Sequence, residues 1–184
     1  VSVTKLDHTK LRSVTTSIDA SENSFEKGVE IAKQLDQPDL KGVFILSDGV
    51  HVNGSEMVRG LNSVLSNSVI TGGLAGDGDR FKRTWVLQKS QPKEKTISAL
   101  GFYGDKITIG HGSKGGWDPF GPERKITKSK DNVLYELDGE PALDLYKTYL
   151  GDRAKDLPAS ALLFPLAIRQ QEGEEKSLVR TILS

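Results

Sequence analysis

Three stretches of the chain hold residue types able to do chemistry. The first is Ser47-Asp48-Gly49, then His51, then Asn53-Gly54-Ser55-Glu56. It lies between an apolar run and an amphipathic segment, which places it at the carboxyl end of a strand, where open α/β sheets bind ligands. A helix start there offers free amides and partial positive charge, suited to a carboxylate or phosphate. The same residues also fit plain turn and cap chemistry, with Asp-Gly turning the chain and Asn53 and Glu56 capping a helix. The second stretch is Thr71-Gly72-Gly73-Leu74-Ala75-Gly76-Asp77-Gly78-Asp79. Its clustered glycines let backbone amides approach an anion. No Gly-Lys-Ser/Thr follows, so it is not a Walker A loop, and no helical pattern follows, so it is not a dinucleotide fingerprint. Asp77 and Asp79 resemble part of a calcium loop, but the other ligands and the closing Glu are missing. The competing reading is a strained loop that switches the chain from parallel to antiparallel pairing. The third stretch, Gly110-His111-Gly112-Ser113-Lys114-Gly115-Gly116-Trp117, suits either a small-ligand pocket or a structural loop with one buried Trp.

Catalysis is weakly supported. Ser47, His51 and Asp48 supply the members of a Ser–His–Asp set, but residues that close in sequence seldom reach triad geometry. There is no Gly-x-Ser-x-Gly elbow. His8, His51 and His111 lack metal-ligand spacing. No catalytic residue, metal or cofactor is expected. The chain has no cysteine, which excludes disulfides, Cys-ligated zinc, iron–sulfur clusters and a cysteine nucleophile. Asn53-Gly54-Ser55 is a glycosylation sequon only in a secreted chain.

The elements that must position these residues follow from periodicity. Val1, Val3 and Leu6 begin one extended segment, and Ser13 to Ile18 form a β-branched second. Asn23 with Glu26 is a capping-box-like helix start. Phe25, Val29, Ala32 and Leu35 continue at helical spacing, and Pro38 stops the helix. Val43 to Leu46 are four consecutive apolar residues. They predict a central strand buried on both faces, in which Phe44→Ala would cost about 3–5 kcal/mol. Asn53 or Ser55 opens a second helix with Met57, Val58, Leu61, Val64 and Leu65 on one side. A short strand follows at Val69 to Thr71. Residues 11–71 thus read β-α-β-α-β with parallel strands and right-handed crossovers. The loops at 47–56 and 72–79 then leave one edge of the sheet and share a crevice.

From Arg83 the period changes to two. Trp85 and Leu87, Ile97 to Tyr103 and Lys106 to Gly110 read as an antiparallel meander, with a hairpin turn at Gly104-Asp105. Ile126 and Val133 to Leu137 are strands. Pro141 starts a helix carrying Leu143, Tyr146 and Leu150 that ends at Gly151. Ala161 to Ile168 and Leu178 to Leu183 are strands, and Gln170 to Lys176 is a loop. The fold class is α/β: a mixed sheet with a parallel half, an antiparallel meander and part of a second lobe. The expected domain boundary lies between residues 125 and 126.

At 184 residues the chain allows one domain, or one and part of a second. Lys and Arg total 25, as do Asp and Glu. That balance lacks the electrostatic footprint of a nucleic-acid or anionic-membrane binder. No apolar run approaches the length of a membrane span. Lys5, Asp7, His8 and Lys10 in the first ten residues are unlike a signal peptide. The start at Val1 reads as a mature form, a trimmed chain or a fragment.

Phe44-Ile45-Leu46-Ser47-Asp48-Gly49 with Asn53-Gly54, then Thr71 to Gly78, resemble the N-terminal FIST domain. Asn132-Val133-Leu134-Tyr135-Glu136-Leu137-Asp138-Gly139 with Pro141-Ala142-Leu143 is similar to the start of the companion C-terminal FIST domain. The resemblance covers most of the chain. It implies a bacterial, cytoplasmic sensory role in signal transduction, with a small ligand such as an amino acid and a downstream signalling partner. The family's early Cys/Ser-rich segment would precede Val1, so the chain is expected to be an interior piece of a longer protein. The leading expectation is a ligand-sensing module. The expected ligand site is Ser47, Asp48, Asn53, Gly54, Ser55, Gly72, Gly73, Gly76, Asp77, His111 and Trp117. The alternatives are an α/β hydrolase or transferase using Asp48, His51 or Asp77, and a structural interaction domain.

Overall fold

In the computed structural model, which describes residues 3–112, 115–170 and 177–182, Lys10–Ser17 forms strand β1 and Ser24–Leu35 helix α1. Leu40–Ser47 forms β2, Gly54–Asn62 α2 and Val69–Leu74 β3. The short strands β4 (Val86–Gln88) and β5 (Gln91–Lys93) make a hairpin. Strand β6 (Thr96–Tyr103) then returns to the main sheet. The sheet order is β1-β6-β2-β3. Strands β2 and β3 are parallel, and β6 runs antiparallel to both β1 and β2. The expected β-α-β-α-β segment is present, but β6 is inserted between its first two strands. Residues 3–6 are not a strand, and Val1 lies outside the described residues.

Both crossovers step the same way across the sheet, so right-handed connections put both helices on one face. Val14, Val43, Ile45, Ile97 and Ala99 point to that face. They pack with Ile31, Leu35, Met57 and Leu61 in one core. Side chains alternate along a strand, so Phe44 and Leu46 point the other way, where they remain 41% and 44% exposed. The expectation of a strand buried on both faces is therefore corrected. An apolar run alone does not say how many faces are covered, and both helices of this unit, α1 and α2, pack on the first face. Part of it meets the hairpin, where Gln88 Nε2 donates to Thr15 Oγ1 at 3.3 Å.

The start of α1 also differs from expectation. Asn23 makes no side-chain cap bond, and a 3-10 turn over Ser21–Asn23 precedes the helix. The Ser24 hydroxyl donates to the Ser21 carbonyl at 2.6 Å instead. The buried stripe contains Gly28 and Ile31 rather than Phe25 and Val29. Gly28 faces α2 so closely that a Cβ would lie 2.3 Å from the Met57 carbonyl oxygen. A Cβ on Gly60 would lie 2.2 Å from that of Phe25. Two glycines thus set the distance between the helices. At the far end of α1 the Tyr103 hydroxyl donates to the Leu35 carbonyl at 2.8 Å, satisfying an otherwise free helix-end group.

Gly72 to Leu74 belong to β3 and not to a loop. Lys106–Gly110 is not a strand, and Gly104-Asp105 does not make a hairpin. The hairpin turn is Lys89-Ser90, both at positive φ. Nothing in a Lys-Ser pair announces such a turn.

The chain divides into two compact units, Val1–Gly112 and Ser113–Ser184. The expected boundary at 125/126 falls inside the second. That unit holds a three-stranded antiparallel sheet of β7 (Ile126–Lys130), β8 (Val133–Leu137) and β9 (Glu140–Pro141). Helix α3 (Ala142–Leu150) follows, then two 3-10 segments. The pair β10 (Leu166–Ile168) and β11 (Leu178–Arg180) ends it. Residues 159–163 form a 3-10 turn, so the expected strand at Ala161 to Ile168 is reduced to β10. Tyr146, Leu150 and Ala161 form its small core. Most of the expected loop at Gln170 to Lys176, and Leu183, lie outside the described residues.

Two outcomes follow for urea titrations. Phe44→Ala costs about 1 kcal/mol or less, because the side chain is already half in water, whereas Ile45→Ala costs about 2–5 kcal/mol. Gly60→Ala lowers stability by about 1–3 kcal/mol despite alanine's better helix propensity, because the added carbon collides with backbone. A neutral or stabilising Gly60→Ala contradicts the helix contact described here.

Candidate functional site

The parallel pairing of β2 and β3 brings the first two chemistry-bearing stretches to one edge. The Ala75 amide donates to the Ser47 carbonyl at 2.8 Å as the strands leave the sheet. Gly49 passes so close that a Cβ there would lie 2.0 Å from the Ala75 carbonyl oxygen. The two exit loops are therefore in contact, as their placement after successive parallel strands requires.

Asp48 organises this edge. It is fully buried. Its Oδ1 accepts from the Val50 and His51 amides, each at 2.8 Å, and pairs with His51 Nδ1 at 3.1 Å. Its Oδ2 accepts from the Lys95 amide at 2.9 Å. Lys95 stands directly before β6, so one carboxylate ties the loop after β2 to the head of the neighbouring strand. Burial pushes the carboxyl up, but the amides of His51, Lys95 and Val50 and the His51 ring together hold it below the usual carboxylate range. The Gly49 amide donates to Thr84 Oγ1 at 2.9 Å. The Asn53 amide donates to Ser24 Oγ at 2.9 Å, joining the starts of the two helices.

Asn53 caps α2 as the sequence indicates, its Oδ1 accepting from the Glu56 amide at 3.3 Å. The Gly54 and Ser55 amides ahead of Glu56 have no acceptor among the described residues. Asp77, nearly buried, anchors the second loop. Its Oδ2 accepts from the Arg83 and Lys82 amides at 3.0 and 2.9 Å, which hold the carboxyl low. Gly76 is exposed with open space around it.

A groove of about 350 Å³ runs between α2 and β3. Gly54, Met57 and Val58 form one wall and Ile70 to Leu74 the other, with Ile45 between them. Three expected site residues, Gly54, Gly72 and Gly73, line it. Its surface is apolar apart from Thr71 and the backbone. Among the described residues strand β3 pairs with β2 alone, so its outer edge presents backbone amides and carbonyls.

Ser47 is fully buried, and its Oγ has no hydrogen-bond partner among the described residues. No Ser47–His51 contact exists, so the sequence-adjacent triad is not assembled. His111 belongs to the first unit and is exposed, and Trp117 belongs to the second and is half exposed. Ser113 and Lys114 between them lie outside the described residues. Among the described residues no cluster of His, Asp or Glu suits a metal, and no helix is long and apolar enough to cross a membrane. Sequence reasoning missed Ser24, Thr84 and the Lys95 amide. Each acts across 29 to 47 residues of chain, and no local pattern marks such contacts.

Asp48→Ala strands three backbone amides and costs roughly 3 kcal/mol or more in a denaturant titration. The folded carboxyl titrates below its unfolded value near 4. Its contribution is therefore complete above about pH 4 and is lost as the pH falls through the folded value. Asp48→Ala should accordingly flatten the acid limb of the stability curve below about pH 4. An unchanged limb contradicts the assignment.

The family described as FIST N domain matches residues 1–140. The match takes in the Asn132 to Gly139 string as well as both exit loops. An uncharacterized protein of Methanocaldococcus jannaschii, MJ1623, is 31% identical over 90 residues. That alignment covers 47% of this chain, which spans only 17% of that relative's length. With both exit loops and the strands that carry them inside the matched region, the chain belongs to the FIST family of signal-transduction sensory domains.

Proposed function

We propose that the first unit is a sensory module whose ligand is a small zwitterion of amino-acid type, held in the groove between α2 and β3. One observation carries this reading. Gly54 at the start of α2 and Gly72 and Gly73 of β3 line a single groove, and the first turn of α2, with its open amides, opens on it. A volume of about 350 Å³ sits at the lower end of the range for small-ligand sites.

The chemistry supports a ligand with three parts. A carboxylate fits the Gly54 and Ser55 amides, where the helix end adds partial positive charge. An apolar side chain fits between Met57, Val58, Ile70 and Leu74. An ammonium group finds carbonyl oxygens on the free edge of β3. Asp48 does not serve it, because the chain's own donors occupy that carboxylate. No Lys or Arg lines the groove, so selection rests on backbone groups and shape. The family's sensory role supports a cytoplasmic setting and a downstream signalling partner as part of the same proposal.

A thermal-shift screen of the natural amino acids, followed by calorimetry, tests it. An apolar amino acid should bind. Val58→Trp should fold, since Val58 is already 37% exposed, and should weaken binding at least about tenfold, roughly 1.4 kcal/mol, by filling the groove that Val58 lines. Binding that survives Val58→Trp unchanged, or no binding by any amino acid, overturns the proposal.

A further inference from the structure

The loop before α2 holds an imidazole so that one ring nitrogen is left unused. His51 gives Asp48 Oδ1 two contacts, its backbone amide at 2.8 Å and its ring Nδ1 at 3.1 Å. Backbone and ring are thereby fixed together. An ionised carboxylate only accepts hydrogen bonds, and the amides around Asp48 keep it ionised. Nδ1 must therefore carry the proton, and the neutral ring keeps its lone pair on Nε2.

No described residue meets that lone pair. Among the described residues the buried side-chain atoms without a partner are Ser47 Oγ and Ser160 Oγ, so Nε2, also without one, lies at the surface. The His51 side chain is 28% exposed, against none for the carboxylate behind it. Ser47 Oγ has no partner among the described residues, so that hydroxyl does not lie against the ring. A carboxylate behind an imidazole orients it and stabilises the charge it gains on taking a proton.

We infer that His51 is an acceptor site. Its Nε2 takes a hydrogen bond from an N–H or O–H of a small ligand, an ammonium or hydroxyl group, at the carboxyl edge of the sheet. His51 does not line the groove, so the inference stands apart from the reading of that groove.

Three measurements on the intact chain decide it. Long-range proton–nitrogen correlation on the ¹⁵N-labelled protein at pH 8.5 reads the tautomer. His51→Asn, which keeps a donor toward Asp48, assigns the signals by their loss. The expected result is a protonated Nδ1 and a bare Nε2, and a protonated Nε2 overturns the inference. Diethyl pyrocarbonate acylates unprotonated imidazole nitrogens. Mass spectrometry should find His51 modified about as fast as the exposed His8 and His111, and a rate tenfold or more below theirs overturns the inference. Titration with ethanolamine, which carries both donor types, should move the Nε2 resonance saturably. No movement at any concentration overturns the ligand assignment, whatever the amino-acid screen returns.

Discussion

A carboxylate buried at the end of a strand is costly unless both of its oxygens are met by donors. Asp48 meets that condition with three backbone amides and one imidazole nitrogen. The bonds reach in two directions. Those to Val50 and His51 close the turn after β2, and the bond to Lys95 fixes the residue that opens β6. Sheet order and loop shape are thus coupled at one side chain. Strand β6 enters between β1 and β2, and the turn that precedes α2 is set by the same group. The cost of burying the charge is offset by donors that would otherwise be unpaired themselves.

The helical layer obeys a second constraint of close approach. Gly28 and Gly60 each face a backbone carbonyl of the opposite helix at a distance no side chain tolerates. That contact brings the starts of α1 and α2 together, where Ser24 accepts from the Asn53 amide. Asn53 in turn caps α2 and leaves its first amides open. The groove wall, the helix head and the Asp48 turn are consecutive pieces of one short segment, residues 47 to 58. This is how a sheet with helices on a single face presents a defined edge.

Much of this was legible in the residues. The apolar run at Val43 to Leu46, the amphipathic Met57 to Leu65 and the strand at Val69 imply parallel β2 and β3. That pairing alone puts both exit loops on one edge. Asn53 as a cap was readable because capping is local. The insertion of β6 was not, because strand order depends on pairings tens of residues apart. The exposure of Phe44 was not, because four apolar residues look the same whether one face or two are covered. Asp48 was read as a ligand group, since a strand-end Asp offers the same letters for a ligand as for its own loop. Only the Lys95 amide, 47 residues on, decides between them.

The claim that Asp48 holds the edge together is tested most directly by amide hydrogen exchange at single residues. The account predicts that the Val50, His51 and Lys95 amides exchange slowly, with protection close to that of the interior of β6. All three should become fast together in Asp48→Ala, where both bonding oxygens are removed. Exchange of the Val50 and His51 amides at the rate of an open loop in the parent protein would contradict it.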